Sequence, residues 1–252
     1  MKINKLLQAW PKGTVAVHAW LQAHGVSRKL AEQYRRRGWI DAIGRGAFVR
    51  RGDNVEWPGA VYALQKEVGN LVHPGGRTAL ELHGLAHFLR LSARALVYLY
   101  GAPGERLPTW FRAHDWKHAI RYSATGLFSR ELGLTSRSFG DFSIDVSSPE
   151  RAMLEYLDGF PGDASFEEAR ELVEALGTVR PELVQSLLEA CTSVKVKRMF
   201  LFLADQAKHP WRSKLKDKRI KLGRGKRSLV PDGKFDSRYL ITVPAEQPES
   251  KA

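Results

Sequence analysis

Eight side chains between Ser27 and Arg45 have types and spacing that suit one definite chemistry, the reading of duplex DNA. Arg28, Lys29, Gln33 and Arg36 fall on the outward side of a helix at 3.6 residues per turn. Arg and Lys donate to the acceptors of guanine, and Gln pairs with adenine as donor and acceptor, so these four are the candidates for base edges. Arg35 and Arg37 fall on the flanks, where cations hold phosphates and position a protein without specifying sequence. Arg45, set between Gly44 and Gly46, suits the minor groove or a phosphate. Ser27 stands at the helix start, where its hydroxyl accepts a first-turn N–H.

That chemistry needs a helix and a ribbon to carry it. From Ser27 to Arg37 is about three helical turns. Leu30, Ala31 and Tyr34 form the apolar side, while Glu32 joins the cations on the other. Gly38 can end the helix in a left-handed conformation. Residues 39–43 and 47–49 are apolar-rich runs joined by Gly44-Arg45-Gly46, which is hairpin punctuation. Upstream, Ile3, Leu6, Leu7 and Trp10 have helical spacing, and Pro11-Lys12-Gly13 breaks it. Residues 14–23 read as a second short helix with Val15, Ala19 and Trp20 inward, and His24-Gly25-Val26 as the turn. Helix, short helix, turn, helix and ribbon make the order of a winged helix-turn-helix. This predicts a DNA-binding domain over 1–52, with 50–54 as a hinge.

The remainder predicts a larger mixed α+β domain over 57–244 with a helical, basic C-terminal part. Pro58 opens a helix running to about Val68, and another is expected over 78–89. Strand-like runs lie at 95–100, 109–112, 120–122 and 142–146. Helices follow from Ser148, over 165–176, from Pro181 to about Cys191, and over 193–207; 239–243 reads as a closing strand.

Charge separates the chain in a different way. The net charge is +13 and the pI about 10.0, which points to a polyanionic partner. Residues 1–56 hold 11 Lys/Arg against 4 Asp/Glu, 57–191 hold 13 against 17, and 192–240 hold 15 against 4. Two basic segments therefore flank a mildly acidic middle, which suggests two contact surfaces.

Other chemistries are weaker in the sequence. His83 with His87 and His114 with His118 are each spaced i, i+4, but no third ligand or protease glutamate accompanies them, so no metal site or cofactor is expected. Asp115, Lys117 and Asp145 are the only residues resembling a metal-dependent nuclease set. Residues 223–227 (GRGKR) suit a phosphate but lack the P-loop pattern. Cys191 is the single cysteine, among Leu187, Leu188 and Val194, so it reads as a buried thiol and the chain as cytoplasmic. No run approaches a membrane span, and residues 1–13 lack the features of a signal peptide. No catalytic residue is expected.

The stretches SRKLAEQYRRRGWIDAIGRGAFVR, GGRTALELHGLAHFL, VSSPERAMLEYLDG, SVKVKRMFLFLADQAKHPW and LGRGKRSLV, in that order, resemble the AbiEi-type antitoxins of type IV toxin–antitoxin (abortive infection) systems. The resemblance implies an N-terminal winged-helix DNA-binding domain and a C-terminal antitoxin domain. It implies repression of the protein's own operon at inverted repeats in double-stranded DNA, and a cognate nucleotidyltransferase toxin countered directly or functionally. It places the DNA role on Arg28, Lys29, Gln33, Arg36 and Arg45. It places the antitoxin role in the C-terminal domain, where Lys195, Lys197, Arg198, Lys221, Arg224, Lys226 and Arg227 are nominated as a basic surface. The alternative is a winged-helix transcription factor with a ligand-sensing C-terminal domain and no toxin partner.

Overall fold

The computed structural model describes residues 3–85, 96–129, 131–231 and 233–245. Among them the chain opens with α1 (Ile3–Ala9), β1 (Ala16–Val17), α2 (His18–Ala23), α3 (Arg28–Arg36), β2 (Ile40–Gly44) and β3 (Ala47–Arg50). It continues through α4 (Trp57–Ala63), which runs into a π-helical turn at Leu64–Val68, then β4 (His73–Pro74), α5 (Gly76–Leu82), β5 (Leu96–Gly101), α6 (Thr109–Ala113) and β6 (Ala119–Ala124). The hairpin strands β7 (Leu134–Phe139) and β8 (Phe142–Ser147) lead to α7 (Pro149–Asp158), α8 (Phe166–Ala175), α9 (Pro181–Ala190) and α10 (Val194–Ala207). Two short 3₁₀ turns precede β9 (Arg227–Ser228), β10 (Lys234–Asp236) and β11 (Ile241–Val243). The fold is mixed α+β.

Two compact units divide these elements, and neither is continuous in sequence. The first takes the described residues within 1–74, 90–125 and 135–146; the second takes those within 75–89, 126–134 and 147–252. This partition follows compactness and differs from the division expected at residues 52–57.

In the first unit Leu6, Trp10, Ala16, Leu21, Val26, Ala31, Tyr34 and Ile40 form one buried cluster. Residues 14–23 are not the single helix expected. Ala16 and Val17 pair with Phe48 and Ala47 as the outer strand of a three-stranded sheet, β1-β3-β2, so sheet pairing overrides the helical reading. Helix α2 starts only at His18; it buries Leu21 and leaves Ala19 exposed. The expected hinge is tied down. Arg50 Nη1 donates to the carbonyls of Leu7 and Trp10, and the Asp53 carboxylate accepts the Gly13 N–H at 3.0 Å. Gly59 lets α4 press on this segment, because a Cβ there would overlap the Gly13 carbonyl. From the π-helical turn, Glu67 Oε2 accepts the Val17 N–H at 2.7 Å, and Glu67 Oε1 is buried without a partner. A second sheet, β4-β5-β6, completes this unit with the β7-β8 hairpin. Residues 109–112, expected as a strand, begin α6: Pro108 accepts the N–H groups of Phe111 and Arg112, and adjacent Trp110 and Phe111 are both buried.

The second unit packs α7, α8, α9 and α10 around a large apolar core that includes Met153, Leu157, Leu187, Phe200 and Ile241. Helix α5 stops at Leu82, short of the expected Leu89, because Gly84 turns the chain at φ +75°. The rest of that segment, with His87, lies outside the described residues. Ser148 caps α7 with Pro149 at its start, as the sequence predicts. The fully buried Glu155 accepts from the Gly76 N–H, the Ser147 hydroxyl and Arg151 Nε. β11 is central in the sheet β10-β11-β9, antiparallel to β10 and parallel to β9.

Candidate nucleic-acid interface

Helix α3 presents its residues as their spacing predicts. Ser27 caps it, accepting the Leu30 N–H at 3.3 Å. Ala31 and Tyr34 are buried, and Leu30 is half-buried against the same cluster. Arg28, Lys29, Gln33, Arg35, Arg36 and Arg37 are all exposed. Arg37 closes the helix, and Gly38 follows at φ +73°.

The wing is β2 and β3, which pair antiparallel with a bulge between Ala42 and Gly44, so that Arg45 stands exposed at the tip. The tip is fastened at its base: the His18 N–H donates to the Gly46 carbonyl at 2.8 Å. The same residue's Nε2 lies 3.4 Å from Arg28 Nε. His18 therefore joins the wing tip to the first turn of α3, and Arg28 and Arg45 belong to one surface. Nothing in the helical periodicity marks His18, which it places in the middle of a continuous helix. Trp39, which opens the hairpin, is also exposed at 45%, though its type favours a core.

Glu32 organises the cations of α3. Its carboxylate accepts from Arg35 Nε and Nη2 at 2.9 and 2.8 Å and from Arg36 Nε at 3.1 Å. Those hydrogen bonds, Arg35's first and Arg36's second, hold its pKa down at about 2, so it is charged at any working pH. The Arg36 side chain nevertheless stays 76% exposed and keeps donors for a ligand. On the wing, Asp41 is paired with Arg51 at 2.8 Å, and that hydrogen bond lowers the Asp41 pKa.

The seven C-terminal cations nominated from the sequence separate into two groups. Lys197 and Arg198 are buried and take no part in a surface. Arg198 donates to the carbonyls of Leu222, Gly225 and Leu240 at 2.8, 2.7 and 3.2 Å, which staples the segment after residue 220 onto α10. Lys195 Nζ is turned to the carbonyls of Asp158 and Phe160 at the end of α7. Lys221, Arg224, Lys226 and Arg227 are exposed. The density of Lys and Arg in the sequence does not distinguish these two groups.

The other chemical candidates are placed as follows. His114 ends α6 and His118 lies beyond it, so they share no helix face; His118 Nδ1 is 3.0 Å from the Trp116 carbonyl. His83 Nε2 lies 3.0 Å from the Ser147 carbonyl. Asp145 belongs to β8, outside the sheet that follows Asp115 and Lys117, and is paired with Lys66. Burial pushes the Cys191 thiol up to about 11, which suits a structural role. No helix among the described residues is long and apolar enough to cross a membrane.

Comparison with known proteins supplies the family and the fold. Residues 94–244 match the profile described as a transcriptional regulator, AbiEi antitoxin, of the type IV toxin–antitoxin system. Residues 1–91 match the profile of the AbiEi antitoxin N-terminal domain of such regulators. No curated protein matches the chain. Among solved structures, the RV2827C protein from Mycobacterium tuberculosis is similar, with a TM-score of 0.59 at 13% identity, over 95% of this chain and 88% of that one. At that identity the likeness is one of fold.

Proposed function

The chain belongs to the AbiEi family of antitoxins and transcriptional regulators of type IV toxin–antitoxin systems, and we propose that it represses its own operon and counters a nucleotidyltransferase toxin. In this reading residues 1–52 are the DNA-binding module and 57–244 carry the antitoxin role. Helix α3 enters the major groove. Arg28, Lys29, Gln33 and Arg36 face base edges, Arg35 and Arg37 face phosphates, and Arg45 reaches the backbone or the adjacent minor groove. The observation that carries the proposal is the bridge through His18, which puts the wing tip and the start of α3 on one exposed, cationic surface.

Titration of the purified full chain against its own upstream DNA tests the first half. Binding should weaken steeply with salt, since each neutralised phosphate releases a counterion. Arg36→Ala should weaken binding to the operator more than to unrelated duplex; Arg37→Ala should weaken both alike. Equal loss on both DNAs for Arg36→Ala would remove it from base readout. Growth rescue on co-expression with the neighbouring gene's product tests the second half.

A further inference from the structure

The basic segment from residue 192 onward is not explained by the winged helix, and the structure gives part of it a distinct shape. Among the described residues, Lys221, Arg224, Lys226, Arg227 and Lys234 are exposed and make no ion pair. Their neighbours differ: Arg212 and Arg238 are held by Asp205 and Asp217, and Arg219 by Glu189. Arg227 on β9 is in register with Ile241, and Lys234 on β10 with Val243, so these two emerge at the edges of the sheet on the other side from Phe235.

An aromatic ring stands beside one of these cations. Phe235 is 40% exposed, and Lys226 Nζ sits 4.8 Å above its ring. Phe235 is in register with Thr242, and Thr242 with Ser228, so this row shares one face of the sheet. The adjacent residues Ile241 and Val243 are buried on the opposite face. Beside Phe235 runs a cleft of about 740 Å³ lined by Phe166, Phe202 and Tyr239, with Arg170 and Lys234 also on its walls. Of the carboxylates lining the cleft, Asp205 is bonded by Arg212, Arg238 and the Tyr239 hydroxyl, and Asp236 accepts the Tyr239 N–H, while Glu167 is exposed.

We propose that the outer face of the β10-β11-β9 sheet, with Phe235 on its edge strand, binds single-stranded RNA. An exposed ring has nothing to stack on in a duplex, whose bases are already stacked; it suits unpaired bases. Lys226 on that face, with exposed Lys221 and Arg224 in the segment that leads to it, complements the phosphates of the strand. Lys226 holds the Phe235 face until a base replaces it.

Fluorescence anisotropy of the full chain with a labelled, unstructured pyrimidine-rich 12-nucleotide RNA tests this. Phe235→Ala should weaken RNA binding roughly 5- to 100-fold, the range of one lost base–aromatic stack. Phe235→Tyr should restore it, and both variants should keep the parent's melting temperature and its affinity for duplex promoter DNA. Substituting Lys221, Arg224 and Lys226 together by Ala should lower the log–log salt slope for RNA by roughly 2. The proposal is overturned by a folded Phe235→Ala protein that binds RNA as the parent does. It is equally overturned if RNA binding is lost in Arg28→Ala/Arg45→Ala instead, or if DNA of the same sequence binds the sheet more tightly than RNA.

Discussion

Replacing Glu67 by Gln should stabilise the protein above neutral pH and leave it unchanged near pH 4.5. Burial raises the pKa of this carboxyl from 4.5 to about 8, outweighing the Val17 N–H bond that pulls it down. Its Oε1 meets no donor. Between those two values the native state holds a proton that the unfolded chain has released, so stability falls as pH rises through that window. The fall starts near pH 4.5 and is complete above about 8. At roughly 1.4 kcal/mol for each tenfold change in proton affinity the full effect is roughly 4 to 5 kcal/mol. Partial solvent contact of the side chain reduces it to roughly 2 to 4 kcal/mol. Gln keeps an oxygen for the Val17 N–H and has no charge to bury. The variant should therefore exceed the parent by roughly 2 to 4 kcal/mol at pH 8.5 and match it at pH 4.5. Urea unfolding followed by tryptophan fluorescence at half-unit pH steps measures the difference. Parallel pH curves for the two proteins, or a variant weaker than the parent at pH 8.5, would refute the reasoning.

Two further outcomes follow from buried and surface charges. Glu32→Gln frees Arg35 and Arg36, so duplex DNA should bind several-fold more tightly in low salt, with a salt slope steeper by roughly 1. An unchanged slope, read by anisotropy across a salt series, means these arginines face away from the phosphates. Arg198→Met leaves the carbonyls of Leu222, Gly225 and Leu240 without their donor. It should cost roughly 3 kcal/mol or more in chemical denaturation, while Lys221→Ala on the exposed side should cost almost nothing.

Helix α3 was legible because each of its signals is local. Ser27, the apolar triplet Leu30, Ala31 and Tyr34, and Gly38 act within a turn or two of one another, and the same holds for Ser148 and Pro149 at α7. What escaped depends on partners far along the chain. Ala16 and Val17 become a strand only because Ala47 and Phe48 lie beside them. Trp110 and Phe111 look like a strand by residue type, and Pro108 makes them a helix. In the candidate site, the outward cations of α3 follow from periodicity, whereas the role of His18 requires the position of Gly46. The C-terminal cations show the same limit, since Arg198 and Arg224 are alike in sequence and opposite in placement. Which lysine or arginine is buried is decided by carbonyls 24 to 42 residues away.

The Arg198 staple also sets an order in time during synthesis. The last segment of the first unit ends at Val146, so that unit has all its residues while the rest of the chain is still being made. The second cannot close until Leu240 and β11 have been translated, because the last carbonyl of the Arg198 staple and the common partner of strands β9 and β10 are missing before then. Roughly 100 residues separate the two events, or roughly 5 to 20 s at ordinary elongation rates. On each ribosome the surface proposed to find DNA is therefore complete before the fold proposed to answer the toxin.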